Sequence, residues 1–155
     1  MGKVLKKHAQ VVVIGGGVIG CSILYHLTKL GWSDVILLER DELTSGSTWH
    51  AAAGIHGLHD STNISRIQHY TMKLYKELEA ETGQGCGIFQ PGSLYLAQTE
   101  NRSHQLHLQA AKAKLYGMNF YEISRSEAEK LHPLVNFDGI QTIMWEPDGG
   151  NVDPS

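Results

Sequence analysis

The chain has 155 residues, enough for one domain with a real core and too few for two of full size. Hydrophobic residues make up 41% and charged ones 19%, which excludes a disordered chain. The formal net charge of −3, without a block of like charges, gives nucleic-acid binding no electrostatic support. Cys21 and Cys86 lie far apart without CxxC spacing, so they form no disulfide framework and suit a reducing compartment.

The amino terminus imitates a signal peptide, with Lys3, Lys6 and Lys7 ahead of an apolar run. Gly15, Gly16 and Gly17 break that run, His26 follows, and no stretch reaches the roughly 18 apolar residues of a membrane span. Lys6 stands where myristoylation of Gly2 would need Ser or Thr. The expected location is cytoplasmic, with the mitochondrial matrix as the alternative, and no membrane partner is expected.

Gln10–Ile14 is β-branched without alternation, the pattern of a strand buried on both faces. Val18–Leu30 has helical length, is apolar nearly all round, and meets a stop at Gly31. Val35–Leu38 reads as a second buried strand, completing a βαβ unit. An amphipathic helix is expected over Ile64–Thr82, with Ile64, Ile67, Thr71, Leu74 and Leu78 on one face and Gly83 beyond its end. Pro91-Gly92 marks a turn before an antiparallel strand, Ser93–Thr99, and a further helix covers Glu100–Tyr116 up to Gly117. Ser124 and Glu127 make a capping-box pair for a short helix that Pro133 closes; the tail from Met144 is a strand followed by turn residues. The order is α/β in front and α+β behind.

Between the first strand and helix lies Gly15-Gly16-Gly17-Val18-Ile19-Gly20, a GxGxxG match. Gly15 allows the tight turn, Gly17 lets the backbone approach a pyrophosphate at the helix N-terminus, and Gly20 lets the helix lie close on the sheet. Nineteen residues after Gly20, Glu39 ends the second strand, where a carboxylate accepts from ribose hydroxyls. Flanking strand, helix and acid together predict a dinucleotide site. The acid disfavours the 2′-phosphate of NADP, although Arg40 is adjacent; NAD and FAD both remain open at this point.

The stretch GSTWHAAAGIHG, residues 46–57, sets His50 beside residues too small to pack it. Considered alone, His50 is more often a hydrogen-bonded loop or core histidine than a functional one. His56 and His59 lie nearby, yet no cysteine, HExxH or His-x3-His spacing accompanies them, so no metal is expected.

VVVIGGGVIGCSILYHLTKLGWSDVILLER followed by SGSTWHAAAG resembles the N-terminal region of the dimethylglycine/sarcosine dehydrogenase family of flavoproteins. The likeness continues through KLYKELEAETGQ, QPGSLYLA and EPDGGNVDPS. It implies a Rossmann-like FAD-binding α/β fold of the glutathione-reductase or D-amino-acid-oxidase type, with the start of an α+β substrate domain. In that family the histidine of GSTWH is joined covalently to FAD through the 8α carbon; carried over, that residue is His50. The resemblance further implies a cofactor lined by Gly15, Gly17, Val18, Ile19, Gly20, Glu39, Arg40, Gly46, Ser47, Thr48, Trp49, Ala51, Ala52 and Ala53. One departure stands out: the family pattern is HAAG, whereas here Ala53 is followed by the glycine, Gly54.

The implied chemistry is oxidation of an N-methyl amine such as dimethylglycine or sarcosine. A hydride equivalent passes to flavin N5, and the resulting iminium is hydrolysed or captured by tetrahydrofolate. The implied electron acceptor is oxygen or an electron-transfer flavoprotein. No catalytic residue is assigned: helix surfaces or loops account for Arg66, Arg102 and Arg125, strand packing for Tyr95, and polar loop settings for His56 and His59. The expected organisation is residues 1–90 as the first part of the FAD domain, 91–147 as the start of a substrate domain, and 148–155 as a return toward the FAD domain. An N-terminal fragment of a longer protein is expected, poorly able to hold FAD by itself. A non-covalent flavin oxidoreductase and a non-catalytic flavin-fold regulatory protein are the alternatives.

Overall fold

The computed structural model describes residues 6–59 and 61–154; Gly2, Lys3 and Ser155 of the sequence reading lie outside the described residues. The chain divides into two compact units, one running to Ala52 with Pro154, the other Ala53–Asp153.

In the first unit, β1 (Val11–Ile14) pairs in parallel with β2 (Val35–Leu38), Val11 opposite Val35 and Ile14 opposite Leu38. Between them runs α1 (Val18–Lys29), entered through Gly15 at φ 103°. Its exit is a Schellman motif: Trp32 N bonds Leu27 O at 3.0 Å, Gly31 N bonds Thr28 O at 2.9 Å, and Gly31 takes φ 90°. The expected βαβ unit is therefore present. Burial on both strand faces is not: Val13 is buried, whereas Val12, Ile14 and Leu38 are exposed. With two strands, only one face has a helix to lie under.

The second unit opens with β3 (Gly54–Ile55), which pairs antiparallel with β7 (Gly150–Asn151). Helix α2 spans Thr62–Thr82 and closes on Gly83 at φ 70°. Its buried residues are Ser65, Met72 and Leu74: of the expected face Leu74 is buried and Thr71 and Leu78 are half-buried, whereas Ile64 and Ile67 are exposed, which corrects the expectation at its N-terminal end. The small hydroxyl of Ser65 is buried because it closes a local loop, accepting from His59 N at 2.8 Å and donating to His59 O at 2.9 Å.

A three-stranded antiparallel sheet follows, ordered β4 (Ser93–Ala97), β6 (Thr142–Glu146), β5 (Tyr121–Glu122). β4 stops two residues short of expectation because Thr99 is the N-cap of α3 (Glu100–Leu115), accepting from Arg102 N. α3 also ends in a Schellman motif, through Gly117 and Met118. α4 (Arg125–Leu131) carries the expected capping box, complete in both directions between Ser124 and Glu127. Two apolar clusters fill this unit: Ala97, Leu106, Ala113, Phe120 and Met144 in one, and Ala128, Phe137 and Ile143 in the other. Leu106 and Phe137 are almost wholly buried, each contributing about 1.5–3 kcal/mol by transfer from water. The two-residue strands β3, β5 and β7 were not legible, being too short to show alternation.

Candidate functional site

The glycine turn, the start of α1, the end of β2 and residues 44–48 with Ala51 surround a cavity of about 640 Å³ within the first unit. Of the residues expected at a cofactor, Gly15, Gly17, Val18, Ile19, Gly20, Glu39, Arg40, Gly46, Ser47, Thr48 and Ala51 line it. Trp49, His50, Ala52 and Ala53 are not among its lining residues. Thr44, Ser45 and Asp41 line it too, and sequence reasoning passed over them. Their only signal was a run of turn-forming polar residues between β2 and the GSTWH stretch.

Each part of the glycine motif has a measurable reason. A Cβ on Gly20 would overlap the carbonyl oxygen of Gly15 and stand 3.5 Å from Val13 Cγ1, so only glycine lets α1 approach β1 this closely. At Gly15 the space is open but φ is positive, so the demand there is conformational. α1 has an N-cap, Gly17, without a side chain and no acidic residue in its first turn. Its amide dipoles are therefore not neutralised locally, the condition for receiving an anion.

Glu39 shapes the floor of the loop. Its Oε2 accepts from Gly16 N at 2.6 Å, and its Oε1 from Arg40 N at 2.7 Å and Asp41 N at 3.0 Å. These amides hold its carboxyl below the usual carboxylate range, Gly16 contributing most, then Asp41 and Arg40. An ionised carboxylate has about four lone-pair sites, so three amides leave capacity for a ribose hydroxyl. The positive end of α1, a fixed carboxylate and the hydroxyls of Thr44, Ser45, Ser47 and Thr48 form a donor and acceptor set that fits an adenine dinucleotide.

His50 is exposed, in a turn that runs from Leu43. Its Nδ1 bonds Gly46 O at 2.9 Å, and its ring meets Trp49 edge-on at 4.9 Å. In the neutral ring, donation to that carbonyl places the proton on Nδ1 and the lone pair on Nε2. Beyond the turn, Ala53 takes φ 54°, a left-handed conformation that glycine ordinarily supplies.

In the second unit Glu146, 3% exposed, accepts from Gly57 N at 2.6 Å and from the Tyr95 hydroxyl at 2.7 Å. Burial first, and the Glu146 bond second, push the Tyr95 phenol above its ordinary range. Tyr95 thus has a partner beyond strand packing; nothing in the sequence linked it to Glu146. His56 Nε2 lies 3.1 Å from the Gln68 amide nitrogen, and His59 Nδ1 accepts from Ser61 N. Arg125 is paired with Glu129 and Asp138. Among the described residues no helix is long and apolar enough to cross a membrane.

A glycine turn on a βαβ unit, an acid closing its second strand and a hydroxyl-lined cavity define a dinucleotide-binding α/β protein. The family model described as FAD dependent oxidoreductase matches residues 10–155. The chain belongs to that family, and its fold is that of an FAD-binding domain. It is 42% identical over 149 residues to the mitochondrial dimethylglycine dehydrogenase of Rattus norvegicus, covering 96% of this chain and 17% of that protein. It is 40% identical over 152 residues to the mitochondrial sarcosine dehydrogenase of Homo sapiens, covering 97% and 17%. The chain therefore spans about a sixth of the length of these relatives. Among solved structures, the L-proline dehydrogenase of P. horikoshii superposes with a TM-score of 0.87 at 27% identity, over 97% of this chain and 39% of that one.

Proposed function

We propose that the chain forms the cofactor-binding front of an enzyme that oxidatively demethylates an N-methylated glycine, dimethylglycine or sarcosine. The cavity of the first unit would hold the adenosine diphosphate half of FAD, with the α1 N-terminus at the pyrophosphate and Glu39 at the ribose, and His50, beyond the cavity lining, would be its covalent attachment point. The observation that carries this reading is the imidazole itself: exposed, oriented by Gly46 O through Nδ1, and presenting Nε2 as a nucleophile. The similarity to two N-methylglycine dehydrogenases supports the choice of substrate.

Bound FAD supplies the two-electron acceptor. The methyl C–H of the neutral amine leaves as a hydride equivalent, and water adds to the iminium to release formaldehyde and the demethylated amine. Alternatively, tetrahydrofolate in a further domain takes the one-carbon unit. Oxygen or an electron-transfer flavoprotein would be the final electron acceptor. Residues 1–90, 91–147 and 148–155 act as the first part of the FAD domain, the start of the substrate domain and the return segment. The names of both relatives favour the mitochondrial matrix over the cytoplasm.

The test uses full-length protein on a denaturing gel viewed under ultraviolet light after acid treatment. Flavin fluorescence that stays with the polypeptide and vanishes in His50→Ala is the expected result; a dark wild-type band refutes the covalent bond. Formaldehyde release from dimethylglycine or sarcosine is expected alongside. A fluorescent band without formaldehyde would point to a regulatory flavoprotein, and turnover with a dark band to non-covalent FAD.

A further inference from the structure

Helix α1 starts from Gly17, so no side chain at its own N-cap can satisfy its first amides. The cap arrives from 30 residues away: Val18 N donates to Thr48 Oγ1 at 3.0 Å. The approach is close enough that a Cβ on Gly17 would stand 3.1 Å from the same oxygen. A second bond, Thr44 N to Gly16 O at 3.0 Å, ties the beginning of the turn to the glycine loop.

From these two anchors the turn closes on itself. Trp49 N donates to Thr44 O and Ala51 N to Thr48 O, both at 3.1 Å, while His50 Nδ1 bonds Gly46 O. His50 therefore lies two residues past a side chain clasped to the first amide of α1. Thr48 also lines the cavity. Its oxygen is used as an acceptor, and its O–H proton goes to no acceptor among the described residues. A hydroxyl both donates and accepts, so an anionic oxygen held at the helix N-terminus is a natural recipient of that proton.

We propose that Thr48 is a positioning residue that couples filling of the dinucleotide cavity to the placement of His50. Its oxygen holds the Val18 amide, its proton goes to a diphosphate oxygen, and the filled cavity thereby fixes the turn that carries the imidazole. The inference rests on the covalent reading of His50 above. Valine at position 48 keeps the shape and loses both bonds; serine keeps both.

The experiment takes full-length apoprotein prepared under riboflavin starvation and mixes it with FAD in air, because bonding Nε2 to the 8α carbon, with loss of a methyl proton, leaves the flavin two electrons reduced and oxygen must take them. The rate at which fluorescence becomes polypeptide-bound is followed at saturating FAD, and affinity is measured separately in a His50→Ala background. Thr48→Val is expected to slow attachment and to weaken FAD binding by about tenfold or more each, the loss of a hydrogen bond to a charged group. Thr48→Ser is expected to restore both to within about threefold. Thr48→Ala replaces the valine variant if that one does not fold. Wild-type attachment in the valine or alanine protein overturns the proposal and leaves the covalent reading intact. Wild-type protein that binds FAD yet never becomes fluorescent on the gel overturns both.

Discussion

Replacing Glu146 tests the internal scaffold that follows the His50 turn in the chain. Its carboxylate is 3% exposed and holds two donors brought together over 89 and 51 residues of sequence, Gly57 N and the Tyr95 hydroxyl. In Glu146→Ala the Gly57 amide stays buried without an acceptor, at about 1–3 kcal/mol, and the half-buried Tyr95 hydroxyl loses roughly 1 kcal/mol. The sum, about 2–4 kcal/mol, corresponds to a thirty- to thousand-fold rise in the opening equilibrium of this corner, at about 1.36 kcal/mol per decade. Hydrogen exchange at the Gly57 amide reads that equilibrium directly. Glu146→Gln keeps an oxygen for Gly57 and a polar partner for Tyr95, so its exchange should rise only about fivefold, near 1 kcal/mol. The Tyr95 phenol should move part of the way back toward its ordinary range in the glutamine protein, since burial, the larger cause of its shift, remains. If alanine and glutamine exchanged Gly57 equally fast, the carboxylate would not be what holds the corner.

The glycine motif makes a sharper contrast. Gly20→Ala drives a Cβ into the Gly15 carbonyl and should cost about 3 kcal/mol, with loss of FAD binding. Gly54→Ala meets nothing within 4 Å and should stay within about 0.5 kcal/mol; equal thermal shifts for the two would refute the close-approach argument. Ala53→Gly should stabilise the protein by about 1 kcal/mol, because Ala53 at φ 54° occupies a left-handed conformation that costs a side chain about that much. A calorimetric melting temperature unchanged or lowered in that variant would show that the turn is strain-free.

Much of the first unit was legible because its determinants are local. Gly15 and Gly20 each answer a constraint within a few residues, and Glu39 follows at the length of one helix and one strand. The same locality made the Schellman exit at Gly31 and the Ser124–Glu127 capping box readable. What escaped was settled by side-chain hydrogen bonds that a hydrophobic period does not encode. Thr99 leaves the expected strand because a helix needs its oxygen. Ser65 displaces Ile64 and Ile67 from the buried face of α2 because His59 engages its hydroxyl in both directions. Strand pairs two residues long have no period to detect.

The choice of cofactor divides in the same way. A glycine turn and an acid recognise a pyrophosphate and a ribose, which NAD and FAD share, so the most readable motif is silent about the reacting end. The 44–51 turn has no such motif, and its geometry depends on contacts that spacing does not encode: Thr48 on Val18 N, Thr44 on Gly16 O, Gly46 O on His50. The HAAG departure belongs to this turn. Ala53 stands where that pattern has its glycine and takes φ 54°, so a left-handed conformation that glycine ordinarily supplies is held by an alanine. An alanine held in that conformation just past His50 is under a constraint stronger than its own local preference.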